Sequence, residues 1–383
     1  MSVNDNKGES VKDESIVETT MTEGEYQDLE YGFDPNDSRS IYRHLVSSVY
    51  QLQKLRVGTG NRVVAAWKAA HMGQAPSVAE KDIDKESQKV IKVLRESYDR
   101  ITDGVVGTYT GSRPQRVSRK KFKPDEIISS FAEYSMVGSY THLLNDEEAA
   151  SKDIEELIKQ DPMWKYFFDG CKGCGPRMAS VCLSFFRITP TAGRHPSSFH
   201  AYAGIDVLTH YINEAGDLVE CNEGRGSKKH HLVPRTYTDK EGKEAVRMSL
   251  SHNRFVKRCL VGVLAPCFIK SKNPKYYPSY LNYKERLKNM PQHTDKTLAH
   301  IEMMARRRII KQFLVDLHRA MCDAEGYTRS TSYAEGVLGR KHMEPRTEIG
   351  KHVVVDQKEL TAKRHQRYLD GLSYWDEPEN MFA

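Results

Sequence analysis

A glycine-rich turn between two apolar segments constrains the fold of this chain more than any other feature. Residues 166–187 run from three aromatic side chains through Gly173 and Gly175 into a second apolar stretch. Glycine allows backbone angles that other side chains exclude, and Pro176 suits the first position of a helix. The pattern therefore predicts two helices joined by a tight turn, packed closely enough to need the small Ala179.

This segment resembles the helix-hairpin-helix motif, which holds DNA without reading its sequence. Backbone N–H groups of the turn and the positive end of the second helix can meet a phosphate. Lys172 and Arg177 flank the turn and add positive charge. We therefore expect Lys172, Gly173, Gly175 and Arg177 to contact DNA. The simpler alternative is an ordinary αα-hairpin with a glycine turn.

Helical spacing of apolar residues precedes the turn. Spacings of three and four, beginning with Ile41, Leu45 and Val49, predict a helix from residue 40 onward. Gly58 and Gly60 interrupt this pattern, so the sequence predicts that one helix ends there and another begins. Further helices are predicted up to residue 160, and no β-strand pattern occurs in this part.

Two β-hairpins are predicted after the glycine turn, at residues 209–221 and 231–250, each around a polar turn that contains glycine. The expected fold is mainly α with a small β-hairpin insertion. The predicted domains are an acidic disordered tail (1–39), a helical N-terminal region (40–160), a DNA-binding domain (161–325, with the hairpin at 166–187, β-hairpins at 207–250 and helices at 251–323) and a polar C-terminal tail (326–383).

The charge is unevenly distributed along the chain. The net charge is +6, yet residues 1–40 carry eleven acids and three bases, so the remainder is strongly basic. Such a body suits a polyanionic partner. A loop at residues 107–124 holds several bases, among them Arg119, Lys120 and Lys121. It is either an arm that follows DNA phosphates or a solvated connector.

Four further motifs follow the glycine turn in a fixed order. They are Tyr202-Ala203-Gly204-Ile205, then Ser251-His252-Asn253-Arg254, then Asn273-Pro274 with a tyrosine-rich segment, and last an Ala- and Arg-rich helix over residues 300–321. In this order they resemble the C-terminal transposase domain of the IS-one-ten / IS-one-one-six / IS-nine-zero-two insertion-sequence family. The resemblance covers about residues 163–322.

The resemblance implies DNA transposition or site-specific recombination, guided by a structured RNA. Family members join a RuvC-like domain with four Mg²⁺-binding acids to a nucleophilic serine in this second domain, and they act as oligomers. The best positional match for the serine is Ser227, with Ser249 and Ser251 as weaker alternatives. Ser227 could equally be a loop residue that touches phosphate. However, residues 41–160 show a helical pattern rather than the strands of a RuvC-like domain.

Several bases close to these motifs are candidate DNA contacts. They are Arg225, Lys228 and Lys229 beside Ser227, and Arg254 and Lys257 in the helix that follows Asn253. No cofactor is expected from the residues themselves, and Mg²⁺ only if the chain is an active recombinase. A homo-oligomer is expected by resemblance alone.

Seven cysteines in a long chain without a secretory signal do not predict a disulfide framework. Cys171 and Cys174 form a lone C-x-x-C without a second pair at zinc-ribbon spacing. No apolar stretch is long enough to span a bilayer, so no membrane partner is expected, and the expected location is the cytoplasm, with the DNA. Three functions compete: a DNA-binding protein related to transposases, an active serine recombinase, and a non-catalytic RNA- or protein-binding module.

Overall fold

The computed structural model describes residues 37–73, 75, 77–94, 130–189, 193, 195–206, 210–213, 217–220, 232–238, 242–330 and 357–377. The acidic tail up to residue 36 and the basic loop at 107–124 lie outside the described residues. So does the 221–231 segment, which contains Ser227.

The described parts of the N-terminal region are mostly helical. Helix α1 spans Ser38–Met72, residues 85–94 form α2, and α3 spans Phe131–Gln160. The break predicted at Gly58 and Gly60 is wrong, because α1 runs through both glycines. A Cβ atom added at Gly60 would lie 3.0 Å from the Tyr140 ring of α3, so this glycine allows two helices to approach each other.

The middle of the chain contains the predicted turn and both predicted β-hairpins. A π-helical turn at Trp164–Phe168 leads into the glycine turn, followed by α4 (Pro176–Phe185) and α5 (Pro196–Tyr202). Strand β1 (His210–Ile212) pairs antiparallel with β2 (Leu218–Glu220), and β3 (Leu232–Thr238) pairs with β4 (Glu244–Leu250). The predicted class, mainly α with a small β insertion, is confirmed.

The C-terminal third is again helical. Helix α6 consists of Arg254–Lys257, a π-helical stretch Arg258–Leu264 and Ala265–Lys270, which follow one another without a break. Next come α7 (Tyr276–Lys288), α8 (Leu298–Ala324) and α9 (Gln357–Leu369). Short 3₁₀ turns lie at Glu80–Asp82, Pro291–His293 and Tyr374–Asp376. No helix among the described residues is long and apolar enough to cross a membrane.

Two clusters of buried side chains form the core. The larger cluster surrounds α8 and includes the first half of α1 and the end of α3, through residues such as Val49 and Ile158. The smaller cluster joins the second half of α1, at Val63 and Trp67, to α2 and to the start of α3. The boundary predicted at residue 160 therefore cuts through the larger cluster, because α1 and α3 are long enough to belong to both.

The described part of the C-terminal segment packs against the larger cluster. Tyr374 is fully buried, and the Trp375 indole N–H donates to the Phe167 carbonyl at 2.7 Å. Arg329 reaches the buried carboxylate of Asp323 in the same region. Residues 357–377, within the segment predicted as a polar C-terminal tail, thus pack beside the glycine turn and contribute Tyr374 to the core.

Candidate nucleic-acid interface

The glycine turn is short and rigidly hydrogen-bonded. The Cys171 N–H donates to Phe168 O at 3.0 Å, and the Cys174 N–H donates to Cys171 O at 2.9 Å. Helix α4 then begins at Pro176, as predicted, with Gly175 at its N-cap and no side chain capping it. The first N–H groups of such a helix need partners from outside it.

The three glycines of the turn serve different purposes. An added Cβ at Gly170 would lie 2.3 Å from the Trp375 ring, and one at Gly173 would lie 2.6 Å from Ser271 Oγ. Gly173 also has φ of +97°, a conformation that other residues rarely adopt. Gly175 alone has open space beside its Cα. Packing within the protein therefore accounts for Gly170 and Gly173, and only Gly175 leaves room for an external partner.

The inner side of the turn is fastened to the loop after α6. The Asn273 side chain donates to Lys172 O at 2.7 Å, and the same side chain accepts from the N–H groups of Lys275 and Tyr276 at 3.0 Å each. Asn273 is 4% exposed. The buried Asn273 amide thus joins the Asn273-Pro274 motif to the glycine turn, about a hundred residues earlier in the sequence.

The outer side of the turn faces solvent and carries positive charge. Lys172 and Gly175 are exposed, and Lys270 at the end of α6 is exposed beside them. Both lysines border an open concavity of about 560 Å³, which Trp164 and Asp169 also line. Two cations and one acid therefore surround this side of the turn, together with the backbone N–H groups at the start of α4.

Arg177 does not join this surface in the structure. Its guanidinium lies 3.4 Å from Glu147 Oε1 and 3.3 Å from Gln53 Oε1, and it stacks on the Tyr50 ring at 4.5 Å. Arg56 holds the other oxygen of Glu147 at 2.8 Å. In the structure its guanidinium therefore belongs to an internal network between α1, α3 and α4, and its contact with DNA stays a prediction.

A second junction lies at the other end of α6. The Asn253 N–H donates to Tyr202 O at 2.9 Å, and the Asn253 side chain accepts from the Val256 N–H at 3.1 Å. Gly204 has φ of +61°, and an added Cβ there would lie 2.3 Å from the His252 ring. The structure thus brings together the motifs at Tyr202–Ile205 and Ser251–Arg254, which the sequence separates by about fifty residues.

The bases predicted near Asn253 are on the surface of α6. Arg254 is exposed in its first turn, and Lys257 is partly buried one turn later. At 1.5 Å per residue, Arg254 and Lys270 lie about 25 Å apart along the helix. The two junctions therefore place exposed cations at both ends of one helix, although Lys172 and Arg254 are not neighbours.

The remaining predicted site residues fall outside the described residues. These are Arg119, Lys120 and Lys121 of the basic loop, and Arg225, Ser227, Lys228 and Lys229 of the segment between the β-hairpins. Of the weaker serine alternatives, Ser249 lies on β4, where its buried hydroxyl has no hydrogen-bond partner among the described residues, and Ser251 is exposed.

The described residues do not supply the acidic half of a recombinase site. Where the resemblance implies strands that carry acids, residues 38–72, 85–94 and 131–160 are helical. In the described part of the chain, no group of three or more His, Cys, Asp or Glu side chains is arranged to hold a metal ion.

Two cysteines and one tyrosine near the turn are buried in the core. Cys171 and Cys174 are free and buried, and burial raises the pKa of the Cys171 thiol. Tyr276 is buried and donates to Asp316 Oδ2 at 2.8 Å, and its pKa is raised, chiefly by burial. A thiol or phenol whose pKa is raised is a poor nucleophile at neutral pH.

Comparison with known proteins gave no match: no family model, no curated protein and no solved structure is similar to this chain.

Proposed function

We propose that this chain is a transposase-like DNA-binding protein that holds the sugar-phosphate backbone at the outer side of its glycine turn. The observation that carries the proposal is the contrast between the two sides of that turn. Asn273 and Ser271 fix the inner side, whereas the outer side presents Lys172, Gly175 and Lys270 to solvent.

The chemistry of this outer side suits a phosphate. The N–H groups of Gly175 and Arg177 have no acceptor among the described residues, as expected at a helix start that no side chain caps. Such N–H groups and the helix dipole favour an anion there. Lys172 and Lys270 add two exposed cations that line the same concavity as Gly175. A contact of this kind positions DNA without reading its sequence.

We do not propose strand exchange by Ser227 and Mg²⁺. The resemblance implies it, but the described parts of residues 41–160 are helical rather than a sheet that carries acids. Two close Mg²⁺ ions need converging carboxylates.

A salt titration of DNA affinity tests the proposal. Binding of a labelled duplex to the full chain would be measured by fluorescence anisotropy at several KCl concentrations. For the double variant Lys172→Glu/Lys270→Glu, we expect affinity to fall at least ten-fold. The slope of log affinity against log salt should decrease by about two, since each phosphate contact contributes about 0.9 to that slope.

The matched control is Lys85→Glu/Lys89→Glu, which makes the same charge change on the exposed side of α2. We expect it to leave the slope unchanged. Equal losses in both double variants would mean that only net charge matters, and the turn would then not be the contact. Much tighter binding of a structured RNA than of any DNA would replace DNA by RNA as the partner.

A further inference from the structure

The concavity beside the glycine turn combines an apolar wall with charged groups at its rim. The partly exposed Trp164 and Cys267 supply apolar surface, and Lys172, Lys270 and Asp169 are exposed around it. Its volume of about 560 Å³ lies in the range of pockets that hold small ligands. Solvated phosphate contacts alone need no apolar wall, so the backbone-binding function leaves this feature without a role.

The shape of the concavity favours one unit of a polymer over a free small molecule. It is a shallow depression that opens broadly to solvent, not an enclosed cavity. A free ligand would keep most of its surface in water there and would bind weakly. One nucleotide of a strand can lie in such an open depression while the strand continues on both sides of it. Contacts to the neighbouring nucleotides then hold the strand in place.

We propose that the concavity holds an unpaired nucleotide of a DNA strand, with its base against Trp164 and its flanking phosphate between Lys172 and Lys270. Every base has an apolar face that stacks on an aromatic side chain, and lysines follow the backbone on either side of it. The Asp169 carboxylate can accept a hydrogen bond from an exocyclic amino group. This inference rests on the proposed function and names its preferred substrate: DNA with unpaired bases.

A base inside an intact duplex cannot occupy this site. Its two faces stack on neighbouring bases and its edge is paired, so a duplex offers only phosphates to the turn. Extrusion of a paired base costs unstacking and unpairing energy that an unpaired base does not incur. The protein should therefore bind a gapped duplex more tightly than a fully paired duplex of equal length, even though the gap removes phosphates and so weakens the purely electrostatic attraction.

A base analogue placed in the gap tests this inference with the full chain. The probe is a duplex with a three-nucleotide single-stranded gap that contains 2-aminopurine, whose fluorescence falls when it stacks. With the wild-type chain, we expect the fluorescence to fall and the gapped DNA to bind roughly ten-fold more tightly than the intact duplex, as one base–aromatic stack predicts.

The variant Trp164→Leu keeps an apolar wall but removes the stacking ring. We expect it to lose both the fluorescence change and the preference for gapped DNA, with intact-duplex affinity unchanged. Tyr237→Leu, at an exposed aromatic residue of β3, is the control and should retain both. If the leucine variant fails to fold, the 2-aminopurine fluorescence with the wild-type chain still shows whether an unpaired base stacks on the protein.

The outcomes separate the two proposals. Salt-dependent binding of both DNAs with equal affinity, and no fall in 2-aminopurine fluorescence, would overturn the nucleotide site but leave backbone binding intact. A lack of binding to either DNA would overturn the proposed function itself.

Discussion

The two ends of helix α6 are built alike, and the difference between them separates packing from function. At each end an asparagine, Asn253 or Asn273, joins the helix to a distant loop. Beside each lies a glycine with positive φ, Gly204 or Gly173, pressed against a side chain. These are the residues on which the family resemblance rests. Because packing explains them at both ends, the motifs alone do not demonstrate DNA binding.

What differs between the two ends is the surface beside them. The Gly173 end exposes two lysines around an open concavity, whereas the Gly204 end exposes Arg254 and covers its glycine with the His252 ring. The shared motifs therefore define the fold, and the residues next to them decide whether a polyanion binds. The following predictions test this comparison, beginning with the largest effect.

The first prediction concerns both clasped glycines. Gly173→Ala and Gly204→Ala should each lower the free energy of unfolding by about 3 kcal/mol, from a strained φ and from an added Cβ that overlaps a neighbour. Gly175→Ala, with ordinary φ and open space, should cost less than about 1 kcal/mol. Urea unfolding followed by circular dichroism measures all three.

A second substitution in each glycine variant shows whether the steric overlap causes the loss of stability. His252→Ala in the Gly204→Ala background should restore part of the lost stability, and Ser271→Ala should do the same for Gly173→Ala. If removal of the neighbouring side chain restores nothing, the cost comes from the backbone conformation alone.

The second prediction concerns the pH dependence of stability, which arises from His200 near the Gly204 end of α6. His200 lies on α5, two residues before Tyr202, and burial, with a smaller contribution from Lys311, lowers its pKa to about 4. The unfolded chain therefore takes up a proton near pH 6.5, whereas the folded chain does so only near pH 4. The contribution of His200 to the free energy of unfolding is therefore complete above pH 6.5 and decreases as the pH falls. At pH 5 it is lower by about 2 kcal/mol.

The variant His200→Gln should remove this dependence while it keeps a donor for the Lys311 carbonyl, which His200 Nε2 contacts at 3.1 Å. His300→Gln, at an exposed histidine, should leave the dependence intact. Urea unfolding at pH 5 and pH 7 compares the variants. An unchanged difference in His200→Gln would assign the dependence to other groups.

The third prediction compares the two asparagines. Asn273 is nearly fully buried and makes three hydrogen bonds, so Asn273→Ala should cost about 2 kcal/mol or more, because buried backbone groups lose their partners. Asn253 is less buried, so Asn253→Ala should cost about 1 kcal/mol, as for the loss of a helix cap. Urea unfolding midpoints and denaturant slopes of the two variants measure these costs. A larger loss in Asn253→Ala than in Asn273→Ala would contradict the prediction.

The fourth and smallest effect concerns Arg254. If one duplex spans both ends of α6, Arg254→Gln should weaken duplex affinity about three-fold and lower the salt slope by about one. The anisotropy titration described for the lysine variants measures both quantities. An unchanged slope would confine DNA to the Gly173 end.

The sequence predicted local structure well where side-chain type alone determines it. The helix start at Pro176, both β-hairpins and the helices in the described parts of residues 41–160 follow from turn residues and apolar spacing. The break at Gly58 and Gly60 was predicted wrongly because local preference disfavours glycine in a helix. Contact with Tyr140 overrides that preference, and the contact is visible only in three dimensions.

The candidate site was predictable only in part. Lys172 and Gly175 follow from the turn, but the network of Glu147 and Gln53 that occupies Arg177 depends on packing between distant helices. Lys270 was missed for the same reason, since nothing in the sequence places the end of α6 beside the turn. A cation three residues before the Asn273-Pro274 motif was the available signal.

The contact between Trp375 and the glycine turn has a consequence for synthesis of the chain. The tryptophan joins Phe167 across 208 residues of sequence. At typical translation rates, this interval corresponds to about 10 to 40 seconds. During that time the nascent turn lacks the side chain that covers Gly170, so an apolar surface stays exposed on the growing polypeptide. The turn can therefore reach its final packing only after almost the whole chain has been made.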